Sequence, residues 1–529
     1  MQVQDITIES VASLSKRDKH YLINSQEFNE FLTYPFEYSE LSKAIESRKN
    51  NPIDRNLLYE VITAQYANLK SGSKTEVHIQ NIKDDNCFTI TTAHQPSLMT
   101  GPLYYVFKIL STIKLCKRLS SDFPKHKFAP VFVIGGEDHD FEEINHLYLF
   151  NKKIEWQGRS GGPVGRITVE GIDEVIKEVT EILGSKNKAE NVLSQLTEKA
   201  NNCTSYGEFA FQLTHSLFDH LGVIILRMDN KELKSAFSPI IKDEILNSAS
   251  KPLVEKEQEK LERLGYKRQA HVRDINFFYL NENGRNRIEK TNNIFSVLNT
   301  NLSFTKEEIE IEIENHPDRF SPNVVMRPLY QETILPNLAY IGGGGELAYW
   351  MERKTQFEYF KLPFPMLIRR NSAMIVSSKQ IEQLSKLGFD LESSFQDEHS
   401  LIQQYIKNSD NPDFSLIASH TALDDIYNKI ENLTQSIDPT LVKTVQSELS
   451  KSKKSLEYLE SKMKKAVKQK EEVQLNRIKK IKQKLFPNGL QERHDNIFEY
   501  LSKYGQTLID EMLDHCDPFD KKFKVFIKD

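Results

Sequence analysis

The stretch Ala129-Pro130-Val131-Phe132-Val133-Ile134-Gly135-Gly136-Glu137-Asp138-His139-Asp140-Phe141-Glu142-Glu143-Ile144-Asn145-His146 decides the fold. Its first six residues are an apolar run of the length and composition of one buried strand. Gly135-Gly136 breaks the run, and Glu137, Asp138, His139 and Asp140 follow at once. Asp140 is placed to cap a helix, with Glu143 three residues on to complete a capping box. The segment reads as strand, tight glycine turn, acidic cluster and helix. In open α/β sheets ligands bind just outside the carboxyl ends of the strands. Glu137, Asp138 and His139 would sit there.

Upstream, Cys87-Phe88-Thr89-Ile90-Thr91-Thr92 has the composition of another strand, followed by the turn Ala93-His94-Gln95-Pro96-Ser97-Leu98-Met99-Thr100-Gly101-Pro102. Thr100 and Pro102 suit an N-cap and a first turn, and helical spacing runs from Leu103 to Leu119. Strand, helix and strand in this order predict a parallel pair with a crossover helix. His94 and Gln95 then fall beside the acidic cluster, at a turn whose helix N-terminus would favour an anion such as phosphate. The alternative is that both only tie down the loop. Neither turn carries a GxGxxG or GxxxxGK[ST] phosphate loop.

Residues 1 to about 85 read as helical and polar. Residues 151–320 read as insertions of largely amphipathic helix. They include a loop at Ser160–Gly165, a buried strand at Leu221–Leu226, and a strand from His271 to Leu280 leading to a turn at Asn283-Gly284. Further on, Arg327-Pro328 precedes Ala339-Tyr340-Ile341-Gly342-Gly343-Gly344-Gly345-Glu346-Leu347-Ala348-Tyr349-Trp350. Four glycines between an apolar run and a helical pattern let the backbone approach a ligand or nest an anion; the alternative is a turn needing positive φ. Arg327 and Glu346 are candidate site residues, and Arg369-Arg370 again ends a strand-like run.

The last third changes character. Leu423, Ile426, Ile430 and Leu433, then Val445 to Val473, keep coiled-coil spacing on either side of Ser436-Ile437-Asp438-Pro439, which predicts an antiparallel helical hairpin. Lys451 to Lys484 holds thirteen Lys or Arg against four Glu, a solvated face or else a phosphate or nucleic-acid surface. Across the 529 residues, 39% hydrophobic and 27% charged content with a net charge of -5 describes a soluble chain of several domains. It argues against a general nucleic-acid binder. No run nears the roughly 20 residues of a membrane span, and the first residues carry no leader pattern. Four scattered cysteines form no CxxC pair, so a cytoplasmic protein with reduced thiols is expected.

Together these motifs resemble the BshC-type cysteine-adding enzymes of bacillithiol synthesis. The resemblance is carried by Ala93-His94-Gln95 through Tyr104, Gly136 through His146, Arg327-Pro328 through Trp350, and Gln491-Glu492-Arg493, in the family's order. Two departures are Ala93-His94, where many relatives carry Gln or Gly, and Gly344, where many carry proline. The resemblance implies an α/β fold: a Rossmann-type core like that of class I aminoacyl-tRNA synthetases, at 86–150 and 321–390. An N-terminal region (1–85), connecting insertions (151–320), a coiled-coil hairpin (391–486) that pairs two subunits, and a return at 487–529 complete it. It implies a ligase that adds L-cysteine to the amine of glucosaminyl malate, with ATP and Mg²⁺ as the expected means of activation. Glu137, Asp138, His139 and Asp140 become candidate catalytic groups, with His139 or a neighbouring carboxylate as base. His94, Gln95, Gly101, Asn145, His146, Arg327, Gly342, Gly343, Gly344, Gly345, Glu346 and Tyr349 become candidate substrate or nucleotide contacts. Glu143 and His146, three apart on a helix, could also read as half of a metal site, but no third ligand is fixed and none is assigned. The rival readings are a nucleotidyltransferase acting on another small carboxylate, and a synthetase-like RNA-binding protein.

Overall fold

The computed structural model describes all residues except 159, 160, 185, 186, 283 and 410–414. The chain opens with strand β1 (Gln2–Thr7) and helix α1 (Lys16–Ile23), which the Ser15 hydroxyl caps at the Asp18 amide. Strand β2 (Cys87–His94), helix α2 (Tyr104–Asp122) and strand β3 (Lys127–Ile134) then form the expected parallel pair and crossover. After β3 a single helical turn, Phe141–Ile144, leads into the hairpin of β4 (His146–Leu149) and β5 (Lys152–Glu155). Strand β6 (Ile224–Arg227) precedes helix α3 (Lys231–Asn247). Five strands follow: β7 (Phe277–Asn281), β8 (Gly284–Thr291), β9 (Ile294–Val297), β10 (Ser303–Phe304) and β11 (Phe320–Pro322). Helix α4 (Arg327–Ile334), strand β12 (Asn337–Gly342), helix α5 (Gly344–Met351), strand β13 (Met366–Arg369) and strand β14 (Ser372–Val376) come next. The last third holds helices α6 (Ile417–Ile437), α7 (Val442–Lys470) and α8 (Glu472–Leu485), and strand β15 (Lys522–Ile527).

The central sheet has the order β13-β12-β2-β3-β6 and is parallel throughout. Its strands are buried on both faces nearly throughout, as a sheet covered on each side requires. From β2 the chain builds outward through β3 to β6, then returns to the other side of β2 with β12 and β13. The order therefore reverses between β2 and β12, where the Thr92 hydroxyl donates to the Ile341 carbonyl at 2.7 Å. Helix α2 is buried nearly all round rather than along one stripe. One side packs on the central sheet, and Phe107 on the other meets Phe526 of β15, ring centroids 6.3 Å apart.

Several expectations need correction. The N-terminal region is not wholly helical, because β1 pairs antiparallel with β15 in a three-stranded sheet. The insertions are largely helical, as expected, but they also hold β7 to β11, which form an antiparallel sheet of order β10-β9-β8-β7-β11. The expected strand from His271 starts only at Phe277, and that at Leu221 only at Ile224, after Gly222 turns the chain at φ +87°. Asn283 and Ser160 lie outside the described residues. Thr100 does not cap α2. Met99, Thr100 and Gly101 all have positive φ, held by the Asn496 side chain, which donates to the Met99 and Gly101 carbonyls at 2.8 Å each. Asp140 does cap the Phe141 turn at the Glu143 amide, but the helix stops at Ile144 because Trp156 N–H claims the Asn145 carbonyl and starts the hairpin. His146 is thus a strand residue and shares no helical face with Glu143.

The chain divides into two compact units: residues 1–375 with 487–527, and residues 376–486 with 528–529. The core remainder expected to reach 390 therefore ends at Ile375. In the second unit α6 and α7 form the expected antiparallel hairpin, with Asp424 paired to Lys453, Tyr427 to Ser452 and Glu431 to Gln446. Among the described residues no helix is long and apolar enough to cross a membrane.

Candidate active site

The carboxyl ends of β2, β3, β12 and β13 open into a cavity of about 580 Å³ at the reversal point, where an open α/β sheet places its ligands. Each strand delivers its side chains through the turn that ends it. Asp138, after β3, accepts from the Gln95 amide at 3.0 Å, from Arg285 at 3.2 Å and from the His139 backbone N–H at 2.8 Å. Arg285 comes from β8 and is itself fixed, lying over the Phe278 ring at 3.9 Å and donating to the Pro322 carbonyl at 3.1 Å. Glu137 pairs with the buried Lys234 of α3. Burial pushes the Glu137 carboxyl up in spite of that partner.

The opposite charge comes from α2 and the strand ends. Lys108, buried on α2, donates to the Ala93 carbonyl at 2.8 Å and pairs with Glu346 at 2.6 Å. Glu346 also accepts from the Tyr340 hydroxyl at 2.6 Å and the Gly343 N–H at 2.9 Å. Burial alone would raise its pKa, but Lys108 and these donors outweigh burial and hold it down at about 2. The glycine turn is thereby anchored to α2. None of Gly342–Gly345 has positive φ. The demand is for space instead, since a Cβ on Gly344 would overlap the Asp18 carboxylate, which Arg369 holds at 2.9 Å. Arg327, at the start of α4, donates to Gln331 and Tyr349, each at 3.2 Å, lies over the Tyr340 ring at 5.7 Å, and forms no ion pair among the described residues.

Burial, and then Lys108, push the His94 pKa down to about 4. The ring is neutral, with Nδ1 donating to the Gln95 carbonyl at 3.0 Å and Nε2 3.2 Å from the Tyr104 hydroxyl. It therefore offers hydrogen bonds rather than positive charge. The Gln491–Asn496 segment closes this end of the site. Gln491 bonds both the N–H and the carbonyl of Ile375, at 2.7 and 2.9 Å, and Glu492 takes Arg370 bidentately at 2.9 Å. Arg493, between these anchors and the cavity, forms no ion pair among the described residues. A second cavity of about 450 Å³ adjoins the first and shares His94, Gln95, Tyr104, Glu143 and Arg493 with it.

Of the residues singled out from sequence, His94, Gln95, Glu137, Asp138, Arg327, Gly343, Gly344, Gly345, Glu346 and Tyr349 line the main cavity, and His146 lines the smaller one. The others are elsewhere. His139 is half-exposed beside Arg285 and lines neither cavity; Asp140 is an exposed cap; Gly342 is inside β12. Gly101 is in the strained turn before α2, and Asn145 is buried at the β4–β5 hairpin. Among the described residues no three His, Cys, Asp or Glu side chains gather as a metal group. Lys108, Arg285 and Arg493 were not singled out. Arg493 was within reach, as an arginine in the quoted Gln491-Glu492-Arg493 run; Arg285 stands on an insertion strand with no local signal.

A Rossmann-like α/β core with a charged cavity at its reversal point, joined to a helical coiled-coil hairpin, defines the class. The chain belongs to the BshC family: the model described as "Bacillithiol biosynthesis BshC, N-terminal Rossmann-like domain" matches residues 1–371, and that of its C-terminal coiled-coil domain matches 373–527. A relative from Christiangramia forsetii is 37% identical over 476 residues, 89% of this chain and 88% of its own. Another from Flavobacterium johnsoniae is 36% identical over 532 residues, 99% of each. Both bear the name "Putative cysteine ligase BshC". A solved Campylobacter jejuni chain described as a "putative arginyl t-RNA synthetase" aligns over 85% of this chain and 98% of its own, at 12% identity and a TM-score of 0.23.

Proposed function

We propose that this ligase joins the carboxyl group of L-cysteine to the amine of glucosaminyl malate, forming an amide and so bacillithiol, with ATP and Mg²⁺ activating the carboxyl. The observation that carries this reading is one cavity that holds both unpaired arginines and firmly oriented carboxylates. An amino acid, a malyl group and a nucleotide together present ammonium, carboxylate and phosphate, and such a cavity has a partner for each. Arg327 and Arg493 form no ion pair among the described residues, as phosphate or carboxylate contacts require before a ligand arrives. The backbone at Gly345 is open, with nothing within 4 Å of where a Cβ would stand, so a nucleotide phosphate can approach it.

When bound, the nucleotide supplies a phosphate leaving group for the cysteine carboxyl. The chain's own residues position the reactants, which is where most of the rate enhancement in such transfers arises. Asp138, fixed by Gln95 and Arg285, keeps a free lone pair for the cysteine ammonium. Glu143 forms no ion pair among the described residues and is the carboxylate left to reach a Mg²⁺ carried on phosphates. The four cysteines are buried and unpaired, in keeping with a reducing cytoplasm. The α6–α7 hairpin pairs two copies of the chain through its uncovered apolar residues. The test is reconstitution: L-cysteine, glucosaminyl malate and MgATP with the purified protein, followed by mass spectrometry. Bacillithiol in amounts proportional to enzyme is expected. Its absence from the complete mixture would overturn the reading.

A further inference from the structure

The smaller cavity holds a group that the reading above does not use. His494, buried beside Arg493, places Nδ1 2.9 Å from Asp495 Oδ1, and Asp495 Oδ2 accepts from the Tyr500 hydroxyl at 2.6 Å. The carboxylate accepts only, so Nδ1 carries the proton and Nε2 presents a lone pair. Among the described residues Nε2 has no hydrogen-bond partner, and the ring lines the smaller cavity. The ring is stacked on Tyr148 with centroids 4.2 Å apart. The Asp495 carbonyl accepts from the Leu103 N–H at the start of α2, at 2.8 Å. A histidine oriented by a carboxylate, clamped on one face and open at its second nitrogen, is the arrangement of a general base.

The other histidines near the site are less suited. His94 has both nitrogens engaged, and His139 lines neither cavity. His146 makes no hydrogen bond to a carboxylate among the described residues, its Nδ1 lying 3.2 Å from the Glu142 carbonyl and from Asn145 Oδ1, and burial and then Lys153 push its pKa down in spite of Glu155.

We propose that His494 is the catalytic base that deprotonates the attacking amine, that Asp495 is its positioning residue, and that the smaller cavity seats the amine-bearing substrate. The proposal rests on the amide-forming reading. The substrate enters as an ammonium and gives one proton to His494 Nε2. The freed nitrogen lone pair attacks the cysteine carbonyl carbon, activated by a nucleoside triphosphate, and forms the C–N bond. The C–O bond to the phosphate leaving group breaks with its electron pair going to that oxygen. The second nitrogen proton leaves to solvent, and His494 passes its own to water before the next turnover. The charged and titratable groups around His494 are Asp495, Arg493, Glu499 and Tyr500 from its own segment, Tyr148 and His146 from β4, and Glu143, Tyr104 and His94 across the cavity.

The test measures bacillithiol formation across pH for the full-length protein and for His494→Gln and Asp495→Asn. It then repeats the assay with hydroxylamine, which is largely unprotonated at neutral pH, in place of glucosaminyl malate. His494→Gln should lose about 10²-fold or more with glucosaminyl malate, and hydroxylamine should restore most of the transfer. Asp495→Asn should move the acid limb of the pH–rate profile to lower pH, because the imidazolium loses its carboxylate; a purely structural role would leave that limb in place. Full activity of His494→Gln with glucosaminyl malate, or equal losses with both nucleophiles, would overturn the base assignment. A wild-type protein that forms no amide at all would instead defeat the ligase reading beneath it.

Discussion

Asp138 is held by three donors from three parts of the chain, so its carboxylate is aimed rather than merely present. Replacing it with Asn should cut bacillithiol formation by about 10²-fold or more, the scale seen when an aimed electrostatic group is removed. The fold should survive, because Arg285 keeps Phe278, Ser321 and Pro322 as partners. A turnover assay with a parallel thermal melt checks both, and retained turnover would remove Asp138 from the mechanism. His94 and Glu346 make a prediction about acid. His94 has a folded pKa of about 4 against an ordinary 6.5, so protonation favours the unfolded chain. Its contribution to stability is whole above pH 6.5 and is lost as pH falls toward 4. Glu346, at about 2 against 4.5, contributes fully above pH 4.5 and loses that contribution as pH falls toward 2. The stability gap between wild type and His94→Gln in urea titrations should therefore shrink from pH 6.5 to 4. A constant gap would contradict the buried, neutral ring. At this scale Glu137 and Asp138 were legible because one local pattern, strand then glycines then carboxylates, places them. Arg285, which holds Asp138 from 147 residues further along the chain, was not.

The glycine turn before α5 separates two roles that a run of identical letters cannot. Gly344 lies against Asp18, whereas Gly345 faces open space. Gly344→Ala should destabilise by about 1–3 kcal/mol, the range for overpacking, and disturb the Asp18–Arg369 pair. Gly345→Ala should leave stability unchanged or raise it by up to ~1 kcal/mol through helix propensity. Calorimetry of the two variants decides, and equal effects would contradict the packing described. Elements whose cause is local were readable in advance: β2, α2, β3, the β12 turn and the α6–α7 hairpin all follow hydrophobic periodicity. Elements whose cause lies far off were not. Strand β1 exists because β15 pairs with it across the length of the chain, and the sheet of β7 to β11 consists of short strands of mixed polarity. The turn at Met99–Gly101 adopts positive φ because Asn496 reaches back to it, and Thr100 loses the helix cap that its sequence position suggested.

For the molecule as a whole, the hairpin carries a consequence for assembly. Ile426 is 53% exposed, Ile430 41% and Leu433 60%, and α6 and α7 have no buried residue. Helices with this spacing cover such residues by coiled-coil contact. The protein should sediment as a dimer, and Ile430→Glu with Leu433→Glu should shift it to monomer; a wild-type monomer at micromolar concentration would contradict the pairing. The two-unit division was legible from the change in sequence character, although its boundary lies at Ile375 and not 390. On the proposed reading, ATP activates the cysteine carboxyl in the cavity at the β2–β12 reversal point, and an amine entering from the adjoining smaller cavity captures it. The most direct measurement uses L-cysteine labelled with ¹⁸O in its carboxyl group, with glucosaminyl malate and MgATP, and follows the label by mass spectrometry. One ¹⁸O transferred to released AMP or phosphate for each bacillithiol formed is the predicted result. Bacillithiol formed without label in any nucleotide product or phosphate would contradict it.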